Sequence, residues 1–199
     1  MIGLGTLFWL MVAFFALIGA MRGWTREVIA TSGLVLSLFA LNQFGNLLVA
    51  LLGAGAQVNA NPVDITTVRR QQFYILSLTH LAITFFSYQG PAFAGRALAD
   101  RLRIRDSLQD KVLGLVVGAL NGYLIVGTLW AFLEYQVGAD GFTRLPVGVP
   151  YPFDPSALIR PGVEDVVNTL IAKLPLPLLA PYLPLLVVVV FLFVIVVMI

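Results

Sequence analysis

The sequence predicts an all-α polytopic membrane protein with four core transmembrane helices and a C-terminal fifth. Three observations predict it. Of the 199 residues, 59% are hydrophobic and only 11% are charged, less than half the ~25% charge of an ordinary soluble domain. The mean hydropathy of +0.94 comes from several long apolar runs rather than a single signal-like one. Finally, Gly114, Gly118 and Gly122 recur every four residues through the apolar run "DKVLGLVVGALNGYLIVG", although a glycine inside a helix costs about 1 kcal/mol against alanine. In lipid no hydrophobic force drives helices together, and small residues on one face let two backbones approach. The stripe reads as a packing seam for another helix, in this chain or in a second copy.

The elements follow in order. Gly3–Met21 is apolar and long enough to span; no basic residue precedes it and no A-x-A site follows, so it reads as a retained helix rather than a cleaved signal peptide. "RGWTRE" (Arg22–Glu27) then predicts a tight turn between two helices. Gly23 suits a helix C-terminus, Thr25 suits a cap for the next helix, Glu27 lies near that helix's positive end, and Trp24 belongs at the interface. The run Val28–Leu52 exceeds the ~20 residues a span needs and is interrupted by "NQFGN" (Asn42–Asn46), so it must tilt, bend or emerge early. Glycine, asparagine and proline in Gly53–Gln72 predict a loop, and Phe73–Ala94 a third span that Pro91 should kink.

Gly95–Lys111 is the most charged stretch, a headgroup-level segment. In it Ser107 and Asp110 have the spacing of a capping box, placing the start of a fourth helix that runs to about Glu134. The chain thus divides into a four-helix region (1–134), an extramembrane loop (135–177) and a fifth helix (178–199). Within the loop, Pro161–Leu174 is a short amphipathic candidate that lies against the membrane, with Pro161 opening the helix and the acids early. Leu178–Ile199 reaches about 33 Å if helical throughout, but only about 22 Å if counted from beyond Pro184.

Loop charges set the orientation. With the N-terminus outside, the cytoplasmic loops carry Arg22, Arg26, Arg96, Arg101, Arg103, Arg105 and Lys111 close to helix ends, against Arg69, Arg70, Arg144, Arg160 and Lys173 spread over longer outer loops. Helices one-two and three-four are then hairpins of the same topology, unlike the inverted repeats of many secondary transporters. The pI near 9.2 reflects these juxtamembrane cations, whose natural partners are the bilayer's anionic headgroups rather than nucleic acid.

"RGWTRE" after the first span and "DKVLGLVVGALNGYLIVG" opening the fourth resemble the two signature regions of the colicin V production (CvpA-type) membrane protein family. The matching positions are Arg22, Gly23, Arg26 and Glu27 in the first, and Asp110, Lys111, Gly114, Gly118 and Gly122 in the second. The similarity covers roughly Gly3 to Glu134. Lys111 stands where members usually carry arginine, and Asn121 where an arginine often precedes the glycine, so no binding role is carried to those two positions. The resemblance implies a multi-pass protein of the bacterial cytoplasmic membrane needed for toxin production or export, with no catalytic residue to carry over.

Without cysteine, no disulfide framework, thiolate metal site or cysteine nucleophile is possible. A zinc site needs three or four nitrogen, sulfur or acidic ligands, and one histidine with no cysteine argues against it; no serine–histidine–aspartate spacing, phosphate loop or dinucleotide fingerprint occurs. No cofactor and no enzymatic activity are expected. His80, mid-span beside Ser77 and Thr79, is either a proton relay or a neutral hydrogen-bonding group; the lack of an acid within any predicted span favours the second. Asn42, Gln43, Asn46, Gln89 and Asn121 either line a polar path or bond between helices, the second being preferred. Export or assembly is the leading role, with a small-solute transporter or channel subunit and a structural subunit of a larger membrane complex as alternatives. A water-filled midplane cavity lined by His80, Asn42 and Asn121 would mark the transporter. An exposed glycine seam would mark an interface with another copy or a complex partner.

Overall fold

Helix α1 (Leu4–Arg22) and helix α2 (Trp24–Leu51) are separated by one residue in the computed structural model, which describes residues 3–53, 62–93, 107–138, 141–155, 158–161 and 166–198. Gly23 makes the turn alone. Its φ of +83° and ψ of 156° lie where only glycine sits without strain, and its N–H returns to the Gly19 carbonyl at 2.9 Å. The tightness of this turn overturns the cap expected from Thr25. Gly23 itself occupies the capping position with no side-chain bond, and Thr25 is already inside the helix and buried. The Trp24 N–H instead donates to Asp110 Oδ1 at 3.1 Å. Asp110 lies in the first turn of its own helix, as its spacing from Ser107 predicts, but its carboxylate serves a neighbouring helix whose free N–H groups and positive dipole end attract it.

Helix α2 runs unbroken through Asn42–Asn46 for 28 residues, or about 42 Å. Helix α3 (Pro62–Phe93) begins at Pro62 rather than Phe73, so Pro62–Gln72 is helix where a loop was predicted. Proline is favoured in a first helical turn. The helix continues past Pro91 to Phe93. The charged stretch up to Asp106 lies outside the described residues. Helix α4 (Ser107–Glu134) carries the glycine stripe.

The expected extramembrane loop starts instead with a hairpin. Strand β1 (Tyr135–Gly138) pairs antiparallel with β2 (Gly141–Arg144), Tyr135 opposite Arg144, with Gly141 at φ +99° on the return. After an irregular strap come the short helices α5 (Val166–Ile171) and α6 (Pro175–Leu179), a 3₁₀ turn (Ala180–Tyr182) and helix α7 (Leu183–Met198). Only Val166–Ile171 of the predicted amphipathic helix is described as helical; Pro161 is not, and residues 162–165 lie outside the described ones. The C-terminal apolar run is helical from Pro175, before the predicted Leu178, which relieves the shortfall in length that Pro184 raised.

Helix α1 lies antiparallel along α4, and the glycines dictate this. A side-chain carbon added to Gly118 would stand 2.5 Å from the Phe15 carbonyl oxygen and 2.8 Å from Gly19 Cα; one added to Gly122 would stand 2.7 Å from Phe15 Cβ. Gly19 and Gly114 approach each other's carbonyls equally closely. As numbers rise on α4 they fall on α1, down to Phe8 against Trp130 with ring centroids 5.7 Å apart. The seam is thus filled from within the chain. The core beyond it holds Phe8, Leu34, Leu38, Leu76, Leu124 and Ile171.

Among the described residues, four helical segments are long and apolar enough to cross a membrane: α1, α2, α4 from Leu108, and Pro175–Phe193. Helix α3, 32 residues long, is not among them because it carries Arg69, Gln72, Ser77, His80 and Thr84, all of them buried. Its exposed residues include Tyr74, Leu78, Leu81, Phe85 and Phe86. Between Tyr74 and Phe86 the outward surface of this fifth long helix is therefore apolar, like that of the others, whereas Arg70, Gln71 and Gln89 are exposed toward its ends.

Candidate functional site at two buried carboxylates

Glu27 lies one turn inside α2 and is fully buried. A carboxylate away from water must be paired and hydrogen-bonded, and every helix of the four-helix region contributes to doing so. Arg22, the last residue of α1, donates from Nη1 to Glu27 Oε1 at 2.8 Å. Tyr88 of α3 donates its hydroxyl to Oε2 at 3.2 Å. Asn121 of α4 donates Nδ2 to Oε2 at 2.8 Å and to the Glu27 carbonyl at 3.0 Å, while its own Oδ1 accepts from Thr31 at 2.7 Å. Arg22 is held further by the Tyr88 carbonyl at 3.0 Å and by the face of the Tyr88 ring, 4.3 Å away, a cation–π contact. Sequence reasoning placed Glu27 as a dipole partner and Asn121 as an interhelical bond. The structure joins them, and adds Tyr88 and Thr31, which no local pattern marked.

The second carboxylate, Glu134, ends α4 and is also fully buried. Arg160 reaches it from the strap after the hairpin, Nη2 to Oε2 at 2.8 Å, and also donates to the carbonyls of Leu145, Pro146 and Val149. Tyr151 donates its hydroxyl to Glu134 Oε1 at 2.5 Å and accepts from Trp130 Nε1 at 3.1 Å. Burial, and then the hydrogen bond from the phenol to Glu134, push the Tyr151 phenol well above its ordinary value, so it remains a donor throughout neutral pH. Arg69 and Arg70 of α3 donate to the strap carbonyls of Pro150 and Pro152. Arg160→Ala should strip Glu134 of its only ion-pair partner among the described residues, leaving a buried charge at a cost of about 3–5 kcal/mol. The expected result is at least tenfold faster limited proteolysis within 145–160 while the helices keep their circular dichroism; an unchanged digestion rate would show that the strap is held by other means.

The remaining sequence candidates do not converge. His80 is fully buried with Nδ1 2.8 Å from Ser37 Oγ and its ring edge-on to Phe132. Asn42 is half-buried, whereas Gln43 and Asn46 are exposed. None of the cavities formed by the described residues is lined by His80, Asn42 or Asn121, and the open ones of about 1040 and 630 Å³ both include residues of the strap on the Glu134 side, among them Arg160. Arg26 and Lys111, the other motif cations, have no ion pair among the described residues, where Arg22–Glu27 and Arg160–Glu134 are the ion pairs. No group of three potential metal ligands occurs among the described residues.

A bundle of long apolar helices, closed by a glycine seam and pinned through buried carboxylates, defines a multi-pass α-helical membrane protein. The family model described as colicin V production protein matches residues 4–145. The chain belongs to that family, which is not a known enzyme family. The match runs past Glu134 through the β-hairpin, so the hairpin is part of the shared region rather than an appendage to it. No curated protein and no solved structure matches the chain.

Proposed function

We propose that this chain is a non-enzymatic component of a bacterial cytoplasmic membrane that acts in toxin production or export by holding a membrane assembly together. The observation that supports this best is the Glu27 cluster. Its carboxylate accepts from three helices, so the polar groups at that depth are directed at one another rather than toward a solute path. The glycine seam is occupied by α1, which leaves the exposed apolar faces, such as Leu185, Val188, Phe191 and Leu192 on α7, for lipid or a membrane partner. The basic residues beside Gly23 meet anionic headgroups on the cytoplasmic side.

Tagged protein purified from toxin-producing cells, with a single cysteine at Lys111 reporting orientation on the cysteine-free background, tests this reading. The expected result is cytoplasmic labelling, co-purification of a membrane partner in fixed stoichiometry, and no solute or proton flux in reconstituted vesicles. A robust flux from the purified chain, with no partner retained, would replace the assembly role with the transporter.

A further inference from the structure

The larger open cavity beside the strap, of about 1040 Å³, matches the top of the ~300–1,000 Å³ range of ligand pockets. It lies where α5 and α6 dock against the start of α1 and the second half of α4, and glycines seat that docking closely. A side-chain carbon added at Gly127 of α4 would stand 2.5 Å from Pro175 Cδ, and one added at Gly5 of α1 would stand 3.1 Å from Val167 Cγ2. Between these contacts the Tyr123 hydroxyl donates to the Lys173 carbonyl at 2.5 Å, which fixes the backbone of Lys173 at the cavity's edge. The Lys173 side chain is exposed and forms neither of the two ion pairs found among the described residues. Arg160, the other cation of the lining, is committed to Glu134 and to three strap carbonyls. No acid lines the cavity among the described residues.

We propose that this cavity binds an anionic phospholipid, with the phosphate against Lys173 and an acyl chain along Leu4, Trp9, Leu170 and Leu178. Its level in the bundle suits a lipid. Leu4 begins α1 and Glu134 ends α4, and because the two helices are antiparallel both mark the end of the bundle opposite the Gly23 turn. Trp9 lies about 8 Å along α1 from that end and is largely exposed; tryptophan and tyrosine belong at the boundary between headgroups and acyl chains. A lone cation beside hydrocarbon needs a counter-charge or a route to water, and a phosphate at headgroup level supplies the first. The walls select a lipid over a free anion. A soluble phosphate would find one uncommitted cation between mostly apolar walls, whereas a phospholipid brings an anion for Lys173 and a chain for the apolar side chains together. This contact lies at the other membrane face from Arg22, Arg26 and Lys111, so it is separate from the headgroup contacts proposed for them.

Photolabelling of the full chain in phosphatidylcholine bilayers tests this, with phosphatidylglycerol and phosphatidylcholine carrying the same photoactivatable acyl chain in turn. Phosphatidylglycerol should label residues 4–9 and 167–178 about fivefold more than phosphatidylcholine, the factor expected from one basic residue near an anionic headgroup. The exposed face of α7, at Phe191 and Leu192, should show no such preference. Lys173→Gln should bring the preference at the cavity close to parity, and Lys173→Arg should keep it, with both variants eluting as the wild type does in size-exclusion chromatography. Equal labelling by the two lipids in the wild type would overturn the proposal, as would an undiminished preference in folded Lys173→Gln. Glycerol phosphate in excess on both sides of the membrane should leave the labelling unchanged; loss of the label would make the site one for a soluble anion and overturn the lipid.

Discussion

Gly118→Leu should fail to assemble its bundle, whereas Leu120→Ala should be nearly silent. A carbon added at Gly118 already falls 2.5 Å from the Phe15 carbonyl oxygen, an atom of helix backbone that no rotamer change can move. Leucine would have to push α1 and α4 apart along the whole seam, removing the close contacts at Gly19, Gly114 and Gly122 together. Overpacking of this kind costs about 1–3 kcal/mol where neighbours can shift and more where they are backbone. Leu120 is 46% exposed on the opposite side of α4, and its truncation should change stability by no more than about 0.5 kcal/mol. Thermal unfolding in detergent, followed by size-exclusion chromatography, reads both. Equal behaviour of the two variants would remove the seam from the argument.

This seam was legible in the sequence because spacing alone carries it: three glycines at intervals of four share a helix face in whatever bundle the helix joins. Its partner was not, since the Gly19–Gly23 spacing sits at a helix end where Gly23 reads as a turn, and the role of Gly19 appears only when α1 is laid antiparallel on α4. The Gly23 turn was legible for the same local reason. Asp110 shows where local reasoning ends. The capping-box spacing located the start of α4 correctly, but the carboxylate's target belongs to another helix and is fixed by packing. The hairpin after Glu134 carried a turn signal in "GADG", masked by the glycine and proline of the long loop that follows it.

The buried carboxylates were the least legible part. Glu27 and Glu134 sit at the ends of their apolar runs, where sequence reasoning assigns charge to headgroups, and only three-dimensional closure shows that neither touches water. Arg160 is a single arginine in an irregular strap. Nothing in its neighbours signals that it reaches back to Glu134, so its function depends on a contact across 26 positions of chain. His80 stood out as an intramembrane ionisable group, but its partner Ser37 on α2 became visible only once α2 and α3 were packed together.

Removing Arg22 should damage the protein more than removing the ion pair as a whole. Arg22→Ala leaves the Glu27 carboxylate with Tyr88 and Asn121 but without its counter-charge, in a site with no exposure. Breaking one side of a buried pair costs about 3–5 kcal/mol, and here it strains the meeting point of α1, α2, α3 and α4. In Arg22→Ala/Glu27→Gln the buried charge is gone, and a glutamine carbonyl can still accept from Tyr88 and Asn121. The double variant should therefore recover roughly half the stability lost by Arg22→Ala. Such recovery is a strongly non-additive cycle, as expected of residues in direct contact. Glu27→Gln alone should be milder, because Arg22 is partly exposed and keeps the Tyr88 carbonyl and ring. Denaturation in mild detergent for the wild type and the three variants measures the cycle. Two losses that simply add would show that Glu27 and Arg22 act on the fold independently, and would demote the cluster from the element that joins the four helices to two separate interactions.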